Sequence, residues 1–350
     1  MKNKWIFILL LSINLPIKAQ INVDYILGSA KEDVNKFLTE YMRPGFEGLM
    51  AATNSSWNNS AKPLKLFHVE LNISASGAMV PSDKEKFTFN QADYTSLQIE
   101  SGPNILPTVM GEKSETHMKV VIEDAANNQI KLLDFDAPDG LKHALKLPIN
   151  LIPAPNIQVS VGLPLGTEAG IRYLPKLESE KGGYIQLLGI GVKHSISQYF
   201  SSKKDEDGNK KKRVFNVALQ ATYQNIDAGY NEPNSDKALK LNLNAVSGNL
   251  LFSFDHKFIS TYYGIGYTQA FTTFDMLGTY EYTYTIKDNT TGTVIGTETV
   301  SVKDPVDLDF DVSGFKATAG VKIKIYVFRF FMDYTYQEYS VFNVGLGFKI

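Results

Sequence analysis

Carboxylate side chains recur at alternate positions late in the sequence, at Asp307, Asp309 and Asp311, with Asp304 just before them. Alternate residues of an extended strand share one face, so the three carboxylates could offer hard oxygen ligands to Ca²⁺. A solvated acidic edge of an external loop explains the same run without an ion, and we favour that interpretation. We therefore predict no metal site.

The histidines occur singly, without the His-x-x-x-His spacing that places two metal ligands on one helix face. The chain has no Gly-x-Ser-x-Gly elbow and no phosphate-binding Gly-rich loop. It also has no cysteine, which excludes disulfides, thiolate metal sites and cysteine nucleophiles. A Ser/His hydrolase built across distant strands stays open, but no residue indicates one, and we predict no catalytic residue, no cofactor and no enzyme. The histidines are His68, His117, His143, His194 and His256.

The overall charge is close to zero, because 35 basic side chains face 37 acidic ones in 350 residues. Such a chain has no net field that would attract nucleic acid, so we predict no nucleic-acid partner. The length allows either two average domains or one large all-β unit.

Residues 1–20 have the pattern of a signal peptide, in which Lys2 and Lys4 precede an apolar run that begins at Trp5. A cleavage site is expected near Ala19. An uncleaved anchor is the alternative, but the apolar run is much shorter than the roughly 20 residues that a spanning helix needs. We therefore expect export and cleavage.

Residues 21–63 differ from the rest of the chain. A capping-box pattern begins at Ser29, and helical spacing of apolar residues follows until Pro44 should end the helix. A polar loop then contains one aromatic residue, Trp57. If this segment plugs a barrel, its candidate plug residues are Val34, Phe37, Leu38, Tyr41 and Trp57.

From Leu64 onward apolar and polar residues alternate, which predicts β-strands. The last strand shows it best. Its apolar face is Phe342, Val344, Leu346, Phe348 and Ile350, and its polar face is Asn343, Gly345, Gly347 and Lys349. Ten strands are expected from 64–80 and from residue 156 onward, while 81–155 form either two or four further strands or an external insertion.

Alternation alone does not separate a secreted β-sandwich from a barrel that faces lipid with its apolar side. The export signal, the strand lengths and the Tyr-rich strand ends, such as Tyr262 and Tyr263, favour the barrel. We predict an all-β fold, an antiparallel transmembrane β-barrel of about 10 to 14 strands over 64–350, with a short N-terminal helical plug. We expect it in the outer membrane of a Gram-negative cell, surrounded by lipid.

The segment Gln337 to Phe348, together with the helix and polar loop near the start, resembles an uncharacterised family of outer-membrane barrels. That family is distantly similar to the long-chain fatty-acid transporters (FadL-like). In the transporters an N-terminal hatch sits inside the barrel and hydrophobic ligands leave sideways into the membrane. The resemblance implies that residues 21–63 are the hatch.

Two functions follow as hypotheses. The first is passive uptake or binding of a small hydrophobic molecule by a plugged barrel. The second is a structural or assembly protein of the envelope, whose loops, above all 276–312, dock a partner that the sequence does not identify. Lys316, Lys322 and Lys324 share the polar face of one strand and form a candidate luminal strip for anions or headgroups, although simple solvation explains them equally well.

Overall fold

The computed structural model describes residues 23–124, 128–142, 150–200 and 213–349. The predicted signal peptide, His143, the polar connection 201–212 and Ile350 lie outside the described residues. Within that part of the chain no helix is long and apolar enough to cross a membrane. The helices are α1 (Val23–Ile26) and α2 (Lys31–Thr53). The strands are β1 (Val69–Met79), β2 (Lys86–Thr88), β3 (Leu97–Ser101), β4 (Ile105–Pro107), β5 (His117–Asp124), β6 (Gln129–Asp136), β7 (Leu151–Leu163), β8 (Thr167–Glu178), β9 (Gly183–Ser195), β10 (Phe215–Asn231), β11 (Ala238–Asp255), β12 (Ile259–Leu277), β13 (Thr279–Asp288), β14 (Val294–Lys303), β15 (Val306–Ile325), β16 (Phe328–Tyr336) and β17 (Val341–Lys349).

Ten antiparallel strands close into a barrel in the order β1, β17, β16, β15, β12, β11, β10, β9, β8, β7. The ring closes where β1 pairs with β17 on one side and with β7 on the other. Closure gives every strand of the ring a partner on both sides along at least part of its length, as a sheet in lipid requires. The predicted all-β barrel of 10 to 14 strands is confirmed, with ten strands.

The two faces of the wall have opposite character. In β17 the side chain of Val344 is 56% exposed on the outside, while its neighbour Asn343 is 1% exposed in the lumen. The exception is Phe331 of β16, which turns inward onto Gly345, where a Cβ would overlap its ring. An apolar outside and a polar inside reverse the arrangement of a soluble sheet protein, so the alternative of a secreted β-sandwich is wrong.

The wall is uneven in height. Strand β15 has 20 residues, whereas β16 and β17 have nine each. As a result β15 pairs with β16 only over Ala317 to Ile325, and its residues 306–316 have a strand partner on one side only. Helix α2 packs against this part of β15, where Asn35 accepts a hydrogen bond from the backbone N–H of Asp307.

The strands that do not join the barrel form a cap, defined here as β2 to β6 with β13 and β14. Five of them make one sheet in the order β14, β13, β6, β5, β3, and β2 pairs with β4. The described residues between β1 and β7 therefore contribute no barrel strand. Both cap segments leave the barrel at the end where β17 begins. There, Ala78 at the end of β1 pairs with Val341 at the start of β17. The opposite end has tight turns at 256–258 and 326–327.

Helix α2 passes through Pro44, where the sequence predicted its end. A proline inside a helix costs roughly 3 kcal/mol through a lost hydrogen bond and a steric clash. Burial beyond it offsets that cost, because the Phe46 ring packs on Phe274 and Phe310 at the mouth of the barrel. The predicted capping box is also absent: Ala30 is the N-cap residue, and its N–H binds the Ser96 hydroxyl of the cap.

Asp33 fastens the start of α2 to the cap. Its carboxylate accepts hydrogen bonds from the backbone N–H groups of Thr95, Ser96 and Leu97 and from the hydroxyls of Thr95 and Ser96. Burial by itself would raise the pKa of Asp33, but these hydrogen bonds outweigh it and hold the pKa below its ordinary value of 3.8. The ionised form is therefore the one that stabilises the contact.

Replacing Asp33→Asn should loosen the helix from the cap by about 2 kcal/mol at pH 7, since the buried N–H donors lose a charged acceptor. Hydrogen exchange of the 95–97 amides measures this. Because the folded pKa is depressed, the contribution is complete above 3.8 and is lost as the pH falls through the folded value. The variant and the wild type should thus converge in acid, and a difference that does not shrink as the pH falls below 3.8 would contradict this explanation.

Sidedness can be tested cleanly because the chain contains no cysteine. Short turns belong on the periplasmic side of such barrels and long connections outside, so the cap should face the medium. A thiol from Ile295→Cys in the cap should react with a membrane-impermeant maleimide on intact cells. One from Val327→Cys, at the opposite end, should react only after the cells are permeabilised, and the reverse pattern would invert the assigned orientation.

Candidate functional site: the barrel lumen and its cavities

Residues 54–64, called here the luminal segment, run from the end of α2 along the inside of the barrel. Asn54 donates to the Thr268 hydroxyl of β12 at 2.5 Å. Further along, the Ser56 hydroxyl donates a hydrogen bond to the Ser74 hydroxyl of β1 at 3.1 Å. The Asn58 side-chain amide donates to the Gln220 amide oxygen of β10, also at 3.1 Å. Contacts on strands from different sides of the ring show that the segment occupies the lumen.

Arg172 of β8 joins the luminal segment to the wall and is the largest fully buried side chain among the described residues. Its guanidinium donates to the carbonyl oxygens of Thr53 at 3.0 Å and Ser55 at 2.7 Å. These carbonyls belong to the C-terminal end of α2, where the helix dipole places partial negative charge. Three amide oxygens of the wall take the remaining donor directions, namely those of Asn156, Gln158 and Gln224.

The indole of Trp57 covers one face of the guanidinium, and its ring centre lies 3.9 Å from the Arg172 Cζ atom. A desolvated cation on an indole face is a strong form of this contact. The indole lies flat against Gly189 and Gly191 of β9, where an added Cβ would come within 2.9 Å and 3.1 Å of its ring. The two glycines therefore provide the space for Trp57.

The lower part of the luminal segment is held by buried carboxylates. Asp255 accepts hydrogen bonds from Ser60, Ser253 and Ser260 and pairs with Lys324 at 3.4 Å. The buried carboxylate of Asp255 thus has both a counter-ion and hydrogen-bond donors, as burial requires. Glu168 likewise pairs with Lys193 at 2.9 Å and accepts the N–H of Leu64.

A notch opens in the side wall above the short hairpin of β16 and β17. It encloses about 50 Å³ between the end of α2, β12, the half-paired part of β15 and the hairpin turn. Much of its lining is apolar, and Phe315 beside it is 84% exposed on the outer face. The apolar lining residues are Met50, Ala51, Ala270, Val312, Gly314, Phe315 and Tyr339.

A second, larger cavity of about 320 Å³ lies at the end of the barrel opposite the cap. We call it the basic vestibule. Its wall includes eight basic and three acidic side chains. The basic ones are Lys62, Lys65, Lys193, Lys257, Lys322, Lys324, Arg329 and Lys349, and the acidic ones are Glu70, Glu168 and Asp255.

Between the notch and the basic vestibule, two cavities of about 20 and 10 Å³ lie beside the luminal segment. Each is too small for more than a water molecule. The candidate lysine strip follows this line of cavities. Lys316 borders the notch and the cavity below it, and Lys322 and Lys324 border the basic vestibule.

The candidate plug residues fall in two places, although all five are buried. Trp57 lies in the lumen. The four helix residues belong to the half of α2 that meets the cap, where Phe37 packs edge-on against Phe87 and Tyr41 donates to the carbonyl of Asp139. The sequence analysis missed Arg172. The signal was present, since the alternation in β8 places it on the polar face between Ile171 and Tyr173.

His117 and the acidic run of β15 lie on the surface. Both nitrogens of His117 in the cap face carboxylates, Asp136 at 2.9 Å and Glu100 at 3.3 Å, rather than a hydroxyl. The Asp136 contact is the main reason that the pKa of His117 is raised. The carboxylates of Asp307, Asp309 and Asp311 share the outer face of β15. Among the described residues, no group of three or more His, Cys, Asp or Glu could hold a metal ion.

A closed antiparallel barrel with an apolar outer face and a polar lumen defines an outer-membrane β-barrel protein. The chain belongs to a family of unknown function, DUF6588, whose model matches residues 1–350. The comparison with curated proteins gives no match.

Several solved outer-membrane structures are weakly similar. The outer membrane protease OmpT from Escherichia coli is 8% identical over 83% of this chain and 100% of its own, with a TM-score of 0.27. Ail, the attachment invasion locus protein of Yersinia pestis, is 7% identical over 81% and 99%, with a TM-score of 0.22. The toluene transporter TbuX of Ralstonia pickettii is 8% identical over 83% and 90%, with a TM-score of 0.22.

Replacing Arg172→Gln should weaken the attachment of the luminal segment on the order of 3 kcal/mol, because two helix-end carbonyls and the indole lose a buried cation. The wild-type lumen should show almost no steady ion conductance in planar bilayers, and the variant should show openings. Arg329→Gln is the matched control, since Arg329 donates only to carbonyls of its own turn. Equal conductance in all three proteins would contradict the assigned role of Arg172.

Proposed function

We propose that the protein binds a small hydrophobic molecule in the side-wall notch. The observation that carries the proposal is the interrupted wall, where β15 continues past the end of β16 and leaves an apolar hollow beside lipid. The backbone groups on the open side of β15 need a hydrogen-bond partner, which protein or, near the interface, water can supply. Helix α2 covers the upper part, and the notch is the uncovered remainder.

The position of the notch along the membrane normal favours a ligand that arrives from the membrane. Nine residues are about the least that cross a bilayer, so the β16–β17 hairpin should end near the outer interface. Exposed aromatic rings border this level, at Tyr336 and Phe342. A molecule dissolved among the lipid chains could therefore enter the notch sideways, with only part of its length enclosed.

Passive uptake would be the extension of this binding. A ligand that moved from the notch into the lumen would be blocked by residues 54–58 of the luminal segment. Transfer to the other side of the membrane therefore requires that segment to shift. Such gating agrees with the sequence resemblance to the fatty-acid transporters and their N-terminal hatch. The lysine strip along the cavities would then meet any polar or anionic end of the ligand.

A second candidate function, docking of an envelope partner, is favoured by the cap. The cap adds seven strands to the barrel on one side only, and its outermost strand β14 exposes Val294 and Ile295. A filled lumen with a large exposed surface is what a structural or assembly protein would show. Labelling of the notch by an apolar probe separates the two candidates.

The test is photo-cross-linking with an alkyl diazirine in lipid nanodiscs. Gly314 faces the notch, and a Cβ atom added there meets no atom within 4 Å, so the ring of Gly314→Phe should have room to enter the notch. Peptides containing Phe315 and Tyr339 should be labelled in the wild type, competed by the same alkane without the diazirine, and labelled at least about tenfold less in the variant, a loss on the order of 1.4 kcal/mol.

Gly248→Phe is the matched control. Gly248 also has open space around its Cβ position, but it lies on the lipid-facing side of β11. This variant should leave the notch labelling unchanged. Labelling spread evenly around the lipid-facing strands and insensitive to Gly314→Phe would refute the binding site and leave partner docking as the better explanation.

A further inference from the structure

The basic vestibule has more positive charge than its own wall neutralises. Eight basic side chains face three carboxylates, an excess of five positive charges in one cavity. A low-dielectric wall makes each uncompensated charge more costly than in water. This imbalance calls for an anion from outside the described chain.

The three carboxylates are already engaged by the fold. Glu168 is bound to Lys193 and the N–H of Leu64, and Asp255 is surrounded by hydroxyl groups and Lys324. Glu70 accepts from the side chain of Asn59 at 3.0 Å. Glu70 also lies near Lys322 and Lys349 and attracts them at longer range, but three carboxylates are too few to balance eight cations.

Among the described residues, the ammonium groups of Lys322 and Lys349 make no direct ion pair, although carboxylates lie at longer range. Lys322 is only 6% exposed, and its ammonium donates to a neutral acceptor, the Asn59 amide oxygen, at 2.9 Å. Within the described ranges, the ammonium groups of Lys62, Lys65 and Lys349 have no hydrogen-bond or ion-pair partner. The buried Lys322, the half-buried Lys349 and the exposed Lys62 and Lys65 at the rim form a binding surface for negative charge.

We propose that the basic vestibule binds a small phosphate-type anion that carries at least two negative charges. One carboxylate would leave most of the excess charge uncompensated, whereas a polyvalent anion matches it. Seven of the eight cations are lysines, whose ammonium groups act as compact point charges toward phosphate oxygens. The volume of 320 Å³ lies at the lower end of small-molecule pockets. This site is separate from the notch and does not depend on the notch ligand.

Phosphate chemistry at this end of the barrel has two sources. One is a free phosphorylated molecule that enters through the mouth opposite the cap. The other is the headgroup of a diphosphate lipid, because exposed aromatic residues at the same rim, Phe258, Tyr326 and Phe328, mark the membrane interface. Both sources present phosphate oxygens to the lysines. A binding measurement with a free anion and one with a lipid can therefore distinguish them.

The experiment uses the full-length folded protein. In the first arm, calorimetry in a nonionic detergent measures binding of inorganic pyrophosphate, which should saturate and weaken as salt is added. In the second arm, native mass spectrometry counts cardiolipin bound after release from nanodiscs. Affinity should fall by about fivefold for each vestibule lysine removed, the effect typical of one lysine near phosphate.

The main variant is Lys62→Gln with Lys65→Gln, because both side chains are exposed at the rim and their loss should leave the barrel folded. The double variant Lys322→Gln with Lys349→Gln tests the interior. Lys287→Gln with Lys303→Gln in the cap is the control with the same change in charge. A differing mobility of unheated and boiled samples on a gel confirms folding in each case.

Saturable pyrophosphate binding that the rim variant loses and the cap control keeps supports a free anion. Cardiolipin that stays bound to the wild type and the cap control, but is lost from the rim variant, supports a lipid headgroup. Absence of binding in both arms would overturn the proposal, as would equal losses in the vestibule and cap variants.

Discussion

The contact between Arg172 and the end of helix α2 is the interaction on which the arrangement of the lumen depends. A guanidinium with no carboxylate partner is stable inside a barrel only if many neutral acceptors surround it, and here helix-end carbonyls, wall amides and the indole of Trp57 do so. The same contact fixes where the helix stops, because the chain beyond Thr53 must pass close to the cation. The path of the luminal segment follows from that point.

Filling the lumen in this way gives the barrel two cavities of opposite character. At the cap end, helix α2 stands in for wall that β16 and β17 are too short to provide, and the uncovered remainder is an apolar notch beside lipid. At the other end, the chain leaves the lumen among lysines and creates a cavity with excess positive charge. Both cavities border the luminal segment, so a ligand in either one would act on the element that closes the barrel.

Local chemistry was enough to predict the wall. The alternation from Phe342 to Lys349 assigned these residues of β17 to their faces, because lipid and water sort residues along a strand without reference to distant parts of the fold; Val341, apolar but buried on the inner side, breaks the pattern. The cap was not predictable in this way, since β6 pairs with β13 across a long stretch of sequence. The course of α2 beyond Pro44 depends on Phe274 and Phe310, which lie far away in sequence. Arg172 was visible as a polar residue on a strand, but its partners were not.

The most direct test of this account is a cross-link inside the barrel. The Oγ atoms of Ser56 and Ser74 are 3.1 Å apart, and the chain has no cysteine of its own. In outer membranes, Ser56→Cys with Ser74→Cys should form a disulfide on mild oxidation, while Ser56→Cys with Ser301→Cys in the cap should not. Free thiols in both pairs, or cross-linking in both, would contradict a luminal segment held against β1.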